Sequence, residues 1–363
     1  MGNVLFLGDT HFHNHRYEGG EMVNGVNRRC RELLTSVERT VALAVSKHGV
    51  EDVVQVGDYF DQCRPPAPVV EACIQMMRAS GLRWHLLRGN HDAGAFGVAS
   101  ALAPLDHIEG IHVYEEPEQV EIGGMRVAMV PYISHSALEA LEMSLDAIQG
   151  ADKIVMHYGV VENATRSDQI TERDIFRFLA RRGVSANQNV PSQMVISGHE
   201  HGARTVTRRR WDSRSSALGS YADLDWSAVN FSNAAALVTS SYEGVTRFNS
   251  LRVKGPAFQK VPDGQTIQEL LVRALNSHGT GLYLNGSEQM SPLLSVLREL
   301  NLIQGYRVQG VAVDSGPGKQ VSEEGFSSAE EVIAEVLERS GADLAEESTQ
   351  RIWVQCLDHI RER

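Results

Sequence analysis

Several protein classes are excluded by what this chain has little of. It carries four cysteines, Cys30, Cys63, Cys73 and Cys356, with no CxxC or other ligand spacing among them. That argues against a disulfide scaffold or a thiolate metal site and suits a reducing cytosol, so a cytoplasmic protein is expected. No apolar run approaches the roughly 20 residues that cross a bilayer, and no membrane association is expected. The opening Met1-Gly-Asn-Val-Leu-Phe-Leu-Gly8 lacks a basic start and reaches Asp9 after a brief apolar run. It reads as a first β-strand rather than a signal peptide. Position 6 is Phe6, so no myristoylation signal follows Gly2. Positive charge is scarce as well: 34 Lys and Arg face 46 Asp and Glu, for a formal net charge of -12. That excludes a protein that coats nucleic acid by bulk electrostatics. Half of the excess lies in residues 316–363, which hold eleven acids and five bases. Any nucleic-acid surface has to be local.

What is present is enough for packed cores: 42% hydrophobic and 22% charged residues in 363, a length that fits two domains and a short appendage. The first 260 residues alternate short apolar runs with helical patterns, the mark of α/β layers. Strands are expected at Val4–Leu7, Val53–Val56, Trp84–Leu87, Val127–Val130, Lys153–Met156 and Met194–Ile196. Amphipathic helices are expected near residues 28–47 and 69–79, the second after the breaker Arg64-Pro-Pro-Ala-Pro68. Residues 205–250 read as strands and turns and are expected to form a second sheet. After Pro262-Asp-Gly264 the composition shifts to a small α/β module, with Thr266 and Glu269 as a capping box. A Gly- and Ser-rich linker and two amphipathic helices follow. The expected divisions are 1–260, 261–315, 316–326 and 327–363.

Each of these first-domain strands except Val127–Val130 runs into a polar cluster. These are Gly8-Asp-Thr-His11, Gly57-Asp-Tyr-Phe-Asp61, Gly89-Asn-His-Asp92, His157, and Gly198-His-Glu-His201. In open α/β sheets the ligand site lies beyond the carboxyl ends of strands, so five clusters converge on one place. Asp, His and Asn without thiolate favour Mn²⁺, Fe²⁺ or Zn²⁺. Asp9, His11, Asp58, Asn90, His157, His199 and His201 make seven donors, too many for one ion and suitable for two. A single histidine of this kind is usually a satisfied core residue. Five such clusters in order are not explained that way.

The series D-x-H, GDxxD, GNHD, a lone His and GHxH resembles the calcineurin-like metallophosphoesterase superfamily. The resemblance implies a four-layer α/β sandwich, two mixed β-sheets flanked by helices, and two-metal hydrolysis of a phosphoester. By that resemblance Asp9, His11, Asp58 and His201 hold one ion and Asn90, His157 and His199 the other, with Asp58 shared. His91 then contacts the phosphate and protonates the leaving oxygen, Asp92 orients its ring, and Asp61 completes the catalytic group.

Monoester phosphatases of the superfamily read GDxVDRG, whereas Gln62 follows Asp61 here, which leans towards a singly charged diester. The segment GDYFDQCRPP is similar to the GDxFDxxxP form of SbcD-type DNA repair and recombination nucleases. In layout the chain is closest to the SbcD-like subunits of T-even-type bacteriophages, which would place it in a bacterial host cytoplasm. The resemblance implies an exonuclease with endonuclease activity, using Mn²⁺. It also implies a small α/β capping domain that selects DNA, C-terminal helices that bind an SbcC-type SMC-like ATPase, and a homodimer. One departure is Ser220-Tyr221, where that family has Ser-Pro. A small-molecule phosphodiesterase or a nucleotide or protein phosphatase is the alternative, and residues 265–363 count against it. A non-catalytic adaptor is disfavoured by the complete donor set.

Candidate DNA contacts are Arg64 and Arg88 near the motifs, and Arg204, Arg208, Arg209 and Arg210 just after the last histidine pair, with Arg214 close by and only Asp212 opposing them. Neutralising Arg208, Arg209 and Arg210 together is expected to weaken DNA binding and lower its salt slope by roughly 0.9 for each phosphate that no longer meets a positive charge. Hydrolysis of a small diester should be unchanged. Binding isotherms at several salt concentrations check this.

Overall fold

The computed structural model describes residues 2–14, 20–94, 99–184, 194–201, 204–207, 214–217, 235–240, 246–251, 257–260, 270, 282–286, 294, 297–298, 303, 305–308, 311–312 and 334. Two six-stranded sheets form its centre. The first runs, edge to edge, Thr246–Leu251, Ala235–Ser240, Asn3–Leu7, Val50–Gln55, Arg83–Leu87 and Ile111–Tyr114. Its last four strands are parallel, and the first two add an antiparallel hairpin. The second runs Arg204–Thr207, Arg214–Ala217, Met194–Ser197, Lys153–Met156, Met125–Val130 and Glu118–Ile122. Its four inner strands are parallel and both edges antiparallel.

Period-two alternation explains why both sheets are buried on both faces. Val4, Phe6, Val54, Val56 and Leu87 of the first sheet pack on Val127, Met129, Val155 and Ile196 of the second. Their neighbours in sequence point the other way. Leu5, Leu7, Val53 and Leu86 pack under helices Arg28–His48 and Ala67–Ser80. Ala128, Val130, Ile154, Met156 and Val195 pack under helices Ala137–Met143, Leu145–Ile148 and Glu172–Arg181. The result is helix, sheet, sheet, helix: the expected mixed α/β sandwich.

Local chemistry sets the helix ends. Asn27 accepts the Cys30 N–H at 3.0 Å to cap helix Arg28–His48, and Gly49 closes it in the left-handed conformation. On helix Ala67–Ser80, Val69, Met76 and Met77 are buried against the first helix and sheet, so this apolar stripe serves the chain's own core.

Two expectations are corrected. The described strands within 205–250 do not form a second sheet of their own. Arg204–Thr207 and Arg214–Ala217 extend a sheet that begins at Glu118, and Ala235–Ser240 and Thr246–Leu251 return to the sheet of the first strand. A separate four-stranded sheet runs Ala257–Lys260, Leu282–Gly286, Gly305–Val308 and Val311–Ala312, so its first strand precedes residue 261. Leu270, Leu284, Leu294, Leu297 and Ile303 are buried. The linker at 316–326 and the C-terminal helices at 327–363 lie outside the described residues, Ala334 apart.

Phe6, fully buried between the sheets, reports on this sandwich. Phe6→Ala is expected to cost about 3–5 kcal/mol of stability, measurable by urea unfolding of the metal-free protein.

Candidate metal centre

The carboxyl ends of the parallel strands deliver the motif residues. Asn3–Leu7 leads to Asp9 and His11, Val50–Gln55 to Asp58, Arg83–Leu87 to Asn90 and His91, Lys153–Met156 to His157, and Met194–Ser197 to His199 and His201. Both sheets therefore contribute. Potential donor atoms of Asp9, His11 and His201 lie within 4.8 Å of one another, as do those of Asp58, His157 and His199. A third such group joins His11, Asp58 and His91. Asp58 faces both sides: its Oδ2 lies 3.5 Å from His11 Nε2 and 3.2 Å from His157 Nε2. Asn90 Oδ1 lies 3.1 Å from His157 Nε2 and 2.9 Å from His199 Nδ1. All seven sequence-predicted donors are thus drawn together.

Backbone strain marks the same residues. Four non-glycine residues among those described have positive φ, and three are His11 at 46°, Asp58 at 45° and His199 at 75°. Each such conformation costs about 1–3 kcal/mol and persists only when its surroundings impose it. Here the Asp58 carbonyl accepts the N–H groups of Thr10 and His11, and the His199 N–H donates to Asp9 Oδ2 at 2.9 Å. Close approach adds a second constraint. A Cβ at Gly89 would sit 2.1 Å from Asp58 Oδ1, and one at Gly198 would sit 2.5 Å from Asp9 Oδ1. Glycine is required at both.

Each of three histidines is tied through one ring nitrogen, which fixes the other. His157 Nδ1 donates to the Val56 carbonyl at 2.8 Å, so it carries the proton and Nε2 faces Asp58. His11 Nδ1 donates to Asp61 Oδ1 at 3.1 Å, which leaves Nε2 buried and without a hydrogen-bond partner. His199 Nε2 donates to Asp168 Oδ2 at 2.9 Å. An orphaned buried imidazole nitrogen beside carboxylates is unfavourable in an all-protein site and is what a divalent cation satisfies. The donor set fits such ions.

Two roles change. Asp92 does not orient His91. Its carboxylate is fully buried and accepts the N–H groups of Tyr59, Phe60 and Gly89 at 3.2, 2.8 and 3.0 Å, clamping two motif loops together. The His91 ring is held instead by Asp61, whose carbonyl accepts Nδ1–H at 2.8 Å. Arg88 is also committed: Nε and an Nη donate to the Tyr132 carbonyl at 3.2 and 2.9 Å. Arg64 is exposed. His13 lies 3.7 Å from Asp61 Oδ2, at the edge of the site. Backbone at Arg204 and Arg214 lies in strands of the second sheet, while Arg208, Arg209, Arg210 and His15 lie outside the described residues.

The sequence reading missed two contributors. Asp168 has no motif around it. Tyr132 stacks on His199, with ring centroids 6.3 Å apart, and on Tyr158 at 5.4 Å. It follows strand Met125–Val130, the one strand expected to end without a functional cluster, and the position of that end beside the other five was the available signal.

The fold and donor set define a metal-dependent hydrolase of phosphoesters. The sequence model of the calcineurin-like phosphoesterase family matches residues 2–203, more than half of the chain, and the chain belongs to that family. Similar solved structures include a dimetal phosphatase from Danio rerio, at 14% identity and TM-score 0.42, covering 69% of this chain and 95% of its own. A conserved uncharacterized protein from Streptococcus pneumoniae, a predicted phosphoesterase, has 15% identity and TM-score 0.30, covering 69% and 98%. A Thermotoga maritima protein solved by NMR has 12% identity and TM-score 0.31, covering 69% and 99%. No curated protein matches the chain. Among the described residues no helix is long and apolar enough to cross a membrane.

Charge at the metal-free site is held by protons. Burial pushes the Asp9 carboxyl up to about 7, against the pull of His157. Burial opposes a charge on His157, but the Asp58 carboxylate outweighs it and raises the ring to about 10. His157, the main opposing influence, holds Asp58 well below the usual carboxylate range despite burial. A cation bound here has to displace the proton of His157, and that of Asp9 at lower pH. Cation affinity is therefore expected to rise with pH up to about 10, most steeply below about 7, with protons released on binding. Calorimetry in buffers of different ionisation enthalpy measures both, and a pH-independent affinity would contradict the assignment.

Proposed function

We propose that this chain is a divalent-cation-dependent DNA nuclease, cleaving phosphodiester bonds from ends and internally in recombination, repair or replication, with Mn²⁺ as its ions. The observation that carries the diester reading is the surroundings of Asp61. Gln62, exposed, stands where monoester phosphatases of the superfamily place an arginine. Arg88 spends its guanidinium on the Tyr132 carbonyl. At position 62 the second negative charge of a monoester thus lacks a counter-charge, whereas a diester carries one charge less. The DNA reading is supported by the likeness of GDYFDQCRPP to the SbcD-type motif, by the arginines between 204 and 214, and by the four-stranded sheet from Ala257 to Ala312. On the same likeness, residues 261–315 select DNA, residues 327–363 dock an SMC-like ATPase, and two copies pair into a homodimer.

In this proposal Asp9, His11, Asp58 and His201 hold one ion and Asp58, Asn90, His157 and His199 the other. When bound, the pair supplies an activated water and neutralises charge on the phosphoryl oxygens. The chain's own residues do the rest. Asp61 keeps the His11 lone pair turned inward and accepts the His91 Nδ1–H, so His91 Nε2 is left to face the substrate. The His91 backbone N–H donates to Asp58 Oδ1 at 2.9 Å, which ties the loop that carries the ring to the shared carboxylate. His91 is half-exposed, and its Nε2 proton can pass to the leaving oxygen. Asp92 holds the loops that carry Asp58 and Asn90 at their mutual distance.

His91→Gln is expected to retain both ions and lose roughly 10²–10⁴ in turnover, read by metal analysis beside kinetics. The substrate class is decided with Mn²⁺-loaded protein on linear duplex DNA, single-stranded DNA, bis-p-nitrophenyl phosphate and p-nitrophenyl phosphate. Cleavage of DNA and the diester is expected. Monoester hydrolysis without DNA cleavage would make this a phosphatase instead.

A further inference from the structure

The three tied histidines are not held alike. His11 and His157 are pinned through Nδ1 and turn Nε2 inward. His199 is reversed, with Nε2 at 2.9 Å from Asp168 Oδ2 and Nδ1 at 2.9 Å from Asn90 Oδ1. A carboxylate can only accept, so Nε2 carries the proton and Nδ1 keeps the lone pair. Asp168 therefore decides which nitrogen His199 presents.

Asp168 is itself held from two directions. Its carbonyl accepts the Gly159 N–H at 3.0 Å, two residues beyond His157. Its Oδ1 accepts Arg166 Nε at 2.9 Å, and the same guanidinium reaches Glu200 Oε1 at 2.8 Å. Glu200 also accepts from Gln169 Nε2 at 2.6 Å. Because Glu200 directly follows His199, the ring is enclosed in a closed circuit: His199, Asp168, Arg166, Glu200. Arg166 is 54% exposed and Asp168 23%, so these ion pairs contribute little to stability. Their geometry is informative in another way. They fix one imidazole against rotation and tautomer exchange, which is the service outer residues give to a metal ligand.

We infer that Asp168 is a positioning residue that sets the affinity of the Asn90–His157–His199 side for its divalent cation, with Arg166 and Glu200 holding Asp168 in place. This rests on the two-cation reading of the site, and the experiment separates the two ideas. Mn²⁺ is titrated into the metal-free full chain, as wild type, Asp168→Asn, Asp168→Ala and Arg166→Gln. Calorimetry reads the affinities and electron paramagnetic resonance reads spin coupling between ions. Wild type is expected to bind two Mn²⁺ as a coupled pair. Asp168→Ala should bind one Mn²⁺ as before and the other about 10–100-fold more weakly. At a Mn²⁺ concentration that saturates wild type, its spectrum should then be that of isolated ions. Asp168→Asn, which keeps an acceptor, should fall between, and Arg166→Gln should shift the same way by less. These two variants carry the test if Asp168→Ala fails to fold. A wild type without a coupled pair would overturn the two-cation reading itself. A coupled wild type with an equally coupled Asp168→Ala, or equal weakening of both ions, would overturn the role of Asp168.

Discussion

Two carboxylates buried side by side are the constraint on which this structure turns. Asp9 is fully buried and Asp58 almost so, and both face inward among imidazoles. Removing such charges from water costs several kcal/mol per group unless they are paired. Protein groups compensate only in part: the His199 N–H serves Asp9, the His91 N–H serves Asp58, and His157 has to keep a proton it would lose in water. Strained φ angles at His11, Asp58 and His199 and the tight glycines at 89 and 198 all serve to bring the same few atoms closer. A site so costly to a metal-free protein is understandable when dications are its normal content.

A division of labour among the acidic residues follows. Asp9 and Asp58 face the centre. Asp61 and Asp168 stand behind histidines and fix their tautomers, and Asp92 turns its carboxylate to backbone N–H groups instead of a donor. Its three backbone partners come from two loops, which makes it a fastener. Sequence proximity to His91 suggested otherwise, because adjacency in a motif says nothing about direction. Residues 91 and 92 point to opposite sides of one turn, the first half-exposed and the second sealed.

The seven donors were legible because each sits at the end of an apolar run, where strand geometry leaves only one destination. Strands Asn3–Leu7, Val50–Gln55 and Arg83–Leu87 and the helices Arg28–His48 and Ala67–Ser80 were readable because their apolar spacing is strong. Strands Glu118–Ile122 and Ile111–Tyr114 escaped notice because edge strands carry alternating polar residues and a weak pattern. The return of Ala235–Ser240 to the first strand could not be read locally, since a sheet's membership is decided by pairing across more than two hundred residues. Asp168 was invisible because a positioning carboxylate needs only to reach one ring nitrogen, a demand no spacing rule encodes.

The donors are split between the two sheets: Asp9, His11, Asp58 and Asn90 come from one, and His157, His199 and His201 from the other. Coordination geometry is therefore a vernier on how the two layers slide past each other. Interiors are packed like crystals and transmit volume changes rather than absorbing them. Methionines at 125 and 129, deep in that seam, thus bear on the spacing of the donors although neither is one of them. Catalytic tuning of this enzyme can be sought in its greasiest layer.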